Sequence, residues 1–225
     1  MKRELLKTDD GSMTIHLPDI NEQYHSKHGA KQEAEHVFLK MGLNLLSENF
    51  KDTQLSILEI GFGTGLNCLL THNKSTVENL NIVYTGVEAY PVTTNEWIAM
   101  DYGKLLGTDL AETIFKKMHE LPWETKELLD ENFTLIKQKK EFKDISDVNT
   151  YDLIYFDAFG ARVQPELWTE DIFKSMFKAL KNNGVLVTYS AKGSVRRAML
   201  AVGFEVERLE GPPGKREMLR ATKKL

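Results

Sequence analysis

The chain has one cysteine and no long apolar run. The single cysteine, Cys68, excludes an internal disulfide and any zinc cluster built on cysteine ligands, and we expect it to be a small core residue. No apolar stretch approaches the roughly 18 residues that cross a membrane. The charged segment 1–11 lacks the apolar centre of a signal peptide. These absences predict a cytoplasmic protein, and the length of 225 residues suits one domain.

A glycine-rich turn is the most specific short feature that is present. The apolar strand Ser56 to Ile60 breaks into Gly61-x-Gly63-x-Gly65 before a helix-compatible segment. Glycine permits backbone angles closed to other residues and lets a ligand lie against the main chain. Dinucleotide enzymes carry the spacing G-x-G-x-x-G instead. The loop therefore favours S-adenosylmethionine, which has no pyrophosphate, and leaves NAD as an alternative.

Acidic residues surround this loop in the sequence. Glu59 lies just before it, and Glu88 ends the next apolar strand, at a spacing that suits a ribose-binding carboxylate. Glu141 and Phe142 follow the third strand. At this place, enzymes that bind S-adenosylmethionine over such a loop contact adenine with an acidic residue and an apolar face. A charged turn explains that last pair equally well.

The strand pattern predicts an α/β fold. Five strands are separated by helical or long segments, as parallel crossovers require, and the last two form an antiparallel hairpin. A mostly parallel seven-stranded sheet ending in a hairpin is the Rossmann-like architecture of class I methyltransferases. Residues 1–49 form an N-terminal extension that is helical from Ala30, and residues 93–131 form a helical insertion. The predicted strands are Ser56–Ile60, Ile82–Val87, Phe133–Lys137, Leu153–Phe156, Val185–Ser190, Phe204–Leu209 and Met218–Thr222.

Several longer motifs occur in one order along nearly the whole chain. They are Tyr24-His25-Ser26-x-His28-Gly29-Ala30 with Glu33 and His36, Gly61-Phe62-Gly63-Thr64-Gly65-Leu66-Asn67, Asp157-Ala158-Phe159, Gln164-Pro165-Glu166-Leu167-Trp168 and Gly211-Pro212-Pro213-Gly214-Lys215-Arg216-Glu217-Met218. Together they resemble the methyltransferase half of the MnmC family, bacterial enzymes that complete 5-methylaminomethyl-2-thiouridine at the wobble position of tRNA.

The resemblance implies a methyltransferase that acts on 5-aminomethyluridine, with the thiolation state left open. Proteins with both activities also carry an FAD-dependent oxidase that exposes the amine. This chain has no second glycine fingerprint, so we expect a stand-alone methyltransferase and a separate enzyme that supplies the amine. The family also implies a cofactor lid, with Tyr24 and Glu33 near the methionine end. Residues 160–163 depart from the family, which more usually has a proline there.

Asp157 is the predicted catalytic residue because it follows the fourth strand at the ligand-binding edge of the sheet. A carboxylate with an ordinary pKa of about 3.9 is a weak base for an alkylammonium. We therefore expect Asp157 chiefly to orient the amine and to stabilise positive charge on nitrogen. Phe159 is predicted to stack on uracil or to exclude water. The alternatives are a helix cap for Asp157 and a core position for Phe159.

The three histidines of the N-terminal motif, His25, His28 and His36, do not indicate a metal site. Their spacing fits no closed zinc pattern. We predict no bound metal.

Basic residues are segregated toward the C-terminus. The whole chain has a net charge of −4, yet residues 192–225 hold nine Lys or Arg against four Glu, a net of +5. This pattern indicates a surface for the phosphates of a tRNA anticodon stem-loop, with aromatic side chains available to stack on its bases. A solvated face without a partner is the alternative. The predicted tRNA-binding residues are Trp168, Tyr189, Lys192, Arg196, Arg197, Lys215 and Arg216.

The sequence thus predicts an S-adenosylmethionine-dependent N-methyltransferase of tRNA wobble uridine. A methyltransferase or aminopropyltransferase of a small amine, a non-catalytic RNA-binding module and an NAD-dependent oxidoreductase remain the competing hypotheses. The predicted catalytic residues are Asp157 and Phe159. The predicted cofactor-binding residues are Tyr24, Glu33, Glu59, Gly61, Gly63, Gly65, Asn67, Glu88, Glu141, Phe142 and Asp157.

Overall fold

A computed structural model describes residues 2–224, which form two sheets. The smaller sheet is antiparallel and N-terminal, with strands β1 (Glu4–Lys7), β2 (Met13–Leu17) and β3 (Glu22–Gln23). The strands of the larger sheet are β4 (Gln54–Ile60), β5 (Asn81–Val87), β6 (Lys126–Asp130), β7 (Phe133–Gln138), β8 (Tyr151–Phe156), β9 (Leu180–Thr188), β10 (Glu205–Glu210) and β11 (Glu217–Thr222). They lie in the order β10-β11-β9-β8-β4-β5-β7-β6.

The pairing of the larger sheet confirms the predicted fold class. The pairs β4–β5, β4–β8, β5–β7 and β8–β9 are parallel, whereas β11 runs antiparallel to both β9 and β10. The sheet has eight strands rather than the seven predicted. The additional strand is β6, an antiparallel edge strand beside β7 in a segment predicted to be helical. Its sequence, Lys-Glu-Leu-Leu-Asp, has no strand periodicity, and pairing with β7 decides its conformation.

The helices follow their capping and apolar patterns. Thr93 caps α4 (Thr94–Met100) with a capping box, in which its hydroxyl accepts from the Glu96 backbone N–H and the Glu96 carboxylate accepts from the Thr93 N–H. Helix α6 (Asp109–Glu120) buries Ala111, Ile114, Phe115 and Met118, which have the spacing of one helical face. The helices are α1 (Ala30–Ala34), which continues through a π-helical segment (Glu35–Leu43) into α2 (Asn44–Leu46), α3 (Leu66–Glu78), α4 (Thr94–Met100), α5 (Tyr102–Leu106), α6 (Asp109–Glu120), α7 (Glu170–Ala179) and α8 (Gly193–Ala201).

The core lies on both faces of the larger sheet. Ile57 of β4 packs into one apolar cluster and the neighbouring Leu58 packs into the other. Strand β8 is buried along its whole length, as expected for a central parallel strand covered on both faces. Cys68 is buried on α3, which confirms its predicted core position. Within residues 2–224, no helix combines the length and apolarity that a bilayer span requires.

The buried ring of Phe62 fixes the glycine loop against β5. It covers Gly86, where an added Cβ would overlap the ring. We predict that Gly86→Ala lowers the free energy of unfolding by about 1–3 kcal/mol, because the extra methyl group overpacks the core. Urea denaturation measures this change. The control is Gly160→Ala, whose Cβ would lie 3.5 Å from its nearest neighbour, the Glu22 Oε2 atom. Equal destabilisation by both substitutions would contradict the prediction.

Candidate active site

The glycine loop brings the ends of β4 and β8 into backbone contact. The Asp157 N–H donates to the carbonyl oxygen of Ile60 at 2.9 Å. Gly61 has a φ of +88°, and a Cβ there would lie 2.6 Å from the Asp157 carbonyl oxygen. Gly63 has a φ of +51°, and its Cβ would lie 3.2 Å from the Tyr24 ring. Gly61 therefore cannot carry a side chain without moving the Asp157 backbone, and the left-handed φ of Gly63 strains any residue with a Cβ. The loop thus presents bare backbone to the space above it.

That space is a cavity of about 530 Å³, which is large enough for a small-molecule cofactor. It lies at the carboxyl ends of β4, β5, β7 and β8, where open α/β sheets bind ligands. The N-terminal segment 22–26 closes one side. Of the residues predicted to bind cofactor or to catalyse, those that line the cavity are Tyr24, Glu33, Glu59, Gly61, Gly63, Asn67, Glu88, Glu141, Phe142, Asp157 and Phe159.

Gly65 is not part of the cavity lining. Its backbone lies against Met118 of α6, so it allows a helix to approach rather than a ligand.

Glu88 links two backbone segments at the rim of the cavity through hydrogen bonds. Its carboxylate accepts from the Gly63 N–H at 3.0 Å and from the Tyr90 N–H at 2.9 Å. The Tyr90 hydroxyl donates to Glu141 at 3.3 Å, which links the ends of β5 and β7. The sequence interpretation missed Tyr90, although an aromatic residue two positions after the strand-ending acid was a usable signal.

Asn67 bridges the buried Glu59 and the half-buried Asp157. Its Nδ2 donates to Glu59 at 2.9 Å and to Asp157 at 2.8 Å. Its Oδ1 is buried and has no hydrogen-bond partner within residues 2–224. The amide thus uses both protons internally and leaves an acceptor for a donor from outside the chain.

Burial shifts the pKa of both acids upward. Glu59 is enclosed, and burial raises its pKa well above the ordinary value even though it accepts from Tyr84 and Asn67. Burial likewise raises the pKa of Asp157 to about 7, and the nearby negative charge of Glu33 adds to this effect. The hydrogen bond from Asn67 opposes it. Asp157 can therefore gain or lose a proton near neutral pH.

Glu33 and Lys215 form an ion pair inside the cavity, between α1 and the loop that joins β10 to β11. The second oxygen of Glu33 accepts from the Ser26 N–H at 2.8 Å. The Lys215 ammonium lies 3.9 Å from the centre of the Tyr189 ring, and the Tyr189 hydroxyl donates to the Ala158 carbonyl oxygen at 2.8 Å. Lys215, predicted to contact tRNA, thus faces the cavity.

Of the other six predicted tRNA-binding residues, Tyr189 lines the cavity and the remaining five lie apart from it. Trp168 is only 5% exposed, and its indole N–H donates to the Phe159 carbonyl oxygen at 2.7 Å. It is a core residue that supports Phe159, so the prediction that it stacks on a base is not supported by its position. The residues outside the cavity lining are Trp168, Lys192, Arg196, Arg197 and Arg216, of which Lys192, Arg197 and Arg216 are exposed.

The three histidines of the N-terminal motif each contact different groups. His25 lies between the hydroxyls of Thr14 and Thr64, and burial lowers its pKa to about 4. The His28 Nδ1 atom lies 3.4 Å from the Asp9 Oδ2 atom, and the His36 Nε2 atom contacts the backbone carbonyl oxygen of Glu210. In the described part of the chain, no group of three or more His, Cys, Asp or Glu residues is arranged to hold a metal ion.

A family model described as S-adenosyl-L-methionine-dependent methyltransferase matches residues 111–224. This span is just over half of the chain. The chain belongs to this family. The cofactor of the methyltransferase is therefore S-adenosyl-L-methionine. The bare backbone at Gly61 and Gly63 and the unpartnered Oδ1 of Asn67 fit such a group.

The methyltransferase is similar to a longer protein from Paraburkholderia phymatum, named tRNA 5-methylaminomethyl-2-thiouridine biosynthesis bifunctional protein MnmC. Identity is 29% over 226 residues, covering 92% of this chain and 33% of the relative. The chain thus spans about a third of the length of the curated relatives it matches.

Two solved structures bear on the fold. MNMC2 from Aquifex aeolicus matches with a TM-score of 0.81 and 25% identity, covering 99% of this chain and 70% of that chain. A probable spermidine synthase from Corynebacterium glutamicum matches with a TM-score of 0.56 and 15% identity, covering 98% and 76%. The second likeness shows a shared fold alone.

The raised pKa of Asp157 predicts a pH-dependent effect on stability. Its pKa is about 7 in the folded protein against an ordinary 3.8, so the wild type loses stability as the pH rises from about 4 through 7. Asp157→Asn removes this half-buried charge and keeps an acceptor for Asn67. Its melting temperature relative to wild type should therefore increase between pH 5 and pH 8. The exposed Asp52→Asn is the control, and a difference for Asp157→Asn that stays constant with pH would contradict the prediction.

Proposed function

We propose that this methyltransferase adds a methyl group to the exocyclic amine of 5-aminomethyl-(2-thio)uridine at the wobble position of tRNA. The match to MnmC over 92% of the chain carries this proposal, because the name of that relative gives its role in making 5-methylaminomethyl-2-thiouridine in tRNA. The likeness to MNMC2 of Aquifex aeolicus over 99% of the chain supports it. An upstream step must first supply the amine on this uridine.

The cavity offers a place for each part of the cofactor. Glu88 is at the end of β5, where a carboxylate binds ribose, and Glu141 and Phe142 offer adenine an acceptor and an apolar face. Glu33 provides a carboxylate for the ammonium group of the methionine end. When bound, the cofactor supplies an electrophilic methyl group on a positively charged sulfur.

Asp157 positions the substrate amine and takes its proton. An alkylammonium has no lone pair, so it must lose a proton before it can accept a methyl group. With a pKa of about 7, the Asp157 carboxylate is a better proton acceptor at neutral pH than an ordinary carboxylate. Its role therefore extends beyond the orientation expected from its residue type. Phe159, whose ring meets that of Tyr24 edge to face at 5.0 Å, offers the uracil a stacking surface at the cavity.

Exposed basic residues near the cavity form a surface that can bind the phosphates of the tRNA. Arg216 lies in the loop before β11, and the antiparallel pairing of β11 with β9 places this loop at the carboxyl edge of the sheet. Lys192 and Arg197 are exposed at the start of α8, which follows β9 at the same edge. We assign these three residues to phosphates of the anticodon stem-loop.

A small-amine methyltransferase or aminopropyltransferase is the main competing function, because the fold is shared with a probable spermidine synthase. It requires no RNA-binding surface and would show full activity without tRNA. A non-catalytic RNA-binding module would retain RNA affinity without turnover.

The direct test is methylation of tRNA that carries 5-aminomethyl-2-thiouridine, followed by mass spectrometry of the nucleosides. We expect 5-methylaminomethyl-2-thiouridine as the product. Asp157→Asn should lower the single-turnover rate by about 100-fold or more, because general-base catalysis contributes on that scale. The affinity for S-adenosylhomocysteine, which lacks the sulfonium charge, should stay nearly unchanged in calorimetry. Full activity on a free small amine, with none on tRNA, would refute the proposal.

A second test concerns the basic surface. The double substitution of Arg197 and Arg216 by Ala should weaken tRNA binding and reduce the slope of log affinity against log salt by roughly 0.7–0.9 per lost phosphate contact. Lys104 and Lys116, exposed on the insertion, are replaced together as a charge-matched control. Melting temperatures verify that both variants fold. A reduced slope in the control alone would place the RNA on the insertion instead.

A further inference from the structure

A second, smaller cavity adjoins the glycine loop. Its volume is about 170 Å³, and it shares Phe62 and Gly63 with the lining of the larger cavity. Val92, which follows β5, and Lys137 of β7 also line it. The helical insertion supplies the remaining lining residues, which are Thr94, Trp97, His119 and Trp123.

The two cavities differ in charge. Seven acidic residues line the larger cavity, whereas none of the described residues that line the second cavity is acidic. Burial lowers the pKa of His119 to about 3, and its Nε2–H donates to the Thr64 carbonyl oxygen at 3.2 Å, so this ring is neutral. Among the lining residues of the second cavity, Lys137 alone therefore carries a charge.

Lys137 is a buried cation without a paired carboxylate. The residue is only 2% exposed, and its ammonium donates to the His119 carbonyl oxygen at 2.9 Å. Within residues 2–224, no carboxylate forms an ion pair with it. Burial lowers the pKa of the amine to about 8, so it is mostly protonated at neutral pH. An ammonium has three N–H donors, and two of them remain for a group from outside the chain.

The rest of the cavity wall suits a weakly hydrated negative charge. The Trp97 ring stacks on the His119 ring with their centres 4.9 Å apart, and the Lys137 ammonium lies 5.1 Å from the centre of the Trp123 ring. The indole N–H groups and the Thr94 hydroxyl are further hydrogen-bond donors of the lining. A buried charge destabilises a fold unless an opposite charge compensates it, and one ammonium matches one negative charge.

We propose that the second cavity binds a small monovalent anion, of the halide or small-carboxylate type, with the Lys137 ammonium as its counter-ion. Thr94 marks the entry, because it is the exposed residue of the lining. The anion lies beside the glycine loop, since Phe62 and Gly63 belong to both cavities. This inference depends neither on the tRNA substrate nor on the cofactor.

Thermal unfolding at constant ionic strength tests the proposal. Sodium gluconate, whose anion is bulky and strongly hydrated, is replaced stepwise by sodium chloride in one series and by sodium formate in another. At roughly five times the dissociation constant, the bound anion should raise the melting temperature of the wild type by about 2–4 °C and the gain should saturate, because the anion binds only the folded state. The two series distinguish a halide from a carboxylate. A saturating gain in neither series would overturn the proposal.

Two matched variants separate anion binding from other effects of salt. Lys137→Met keeps the length of the side chain but removes its charge, so the saturating gain should be lost. Lys139→Met removes an exposed lysine two positions further along the chain and should retain the gain. A different result is expected if Lys137 only stabilises the end of α6 through the His119 carbonyl oxygen. Lys137→Met would then lower the melting temperature equally in all three salts, and the proposal would be wrong.

Anomalous scattering from wild-type crystals grown in sodium bromide gives a measurement that needs no variant. We expect a bromide peak in contact with the Lys137 Nζ atom, between the rings of Trp97 and Trp123. Bromide peaks at other places, with none at Lys137, would show that the cavity is not an anion site.

Discussion

The backbone contact between the ends of β4 and β8 is the constraint on which the site depends. Only a residue without a Cβ at position 61 allows the Asp157 carbonyl oxygen to lie against the glycine loop. The hydrogen bond from the Asp157 N–H to Ile60 fixes this approach. As a result, Asp157 and the glycine loop are held together as one unit by backbone contacts.

Desolvation raises the pKa of the two acids at this contact. Glu59 and Asp157 share the amide of Asn67, and the surrounding core keeps water away from Glu59. Low local polarity raises the pKa of both acids, so negative charge in the site is costly until a cation compensates it. A cofactor with a sulfonium and an ammonium provides such compensation.

The cavity is completed by segments that are distant in the sequence. Glu33 and Lys215 are separated by 182 positions, yet their ion pair joins the N-terminal segment to the last hairpin. Arg162 makes a comparable link, because its guanidinium donates to the Asn21 carbonyl oxygen at 3.1 Å. The N-terminal extension is thereby tied to the loops after β8 and β10. A ligand that contacts this ion pair would therefore act on both segments at once.

Local patterns in the sequence determined the parallel order of the central strands, the hairpin, the glycine loop and the positions of Glu88 and Asp157, because strand periodicity and glycine spacing are local signals. Tertiary structure decided the rest. Strand β6 forms because it pairs with β7, and Trp168 is covered by the core. Lys215 faces the cavity because it forms an ion pair with Glu33. Tertiary structure also decided the pKa of Asp157. Desolvation depends on what surrounds a carboxylate in space, and no sequence pattern predicts it.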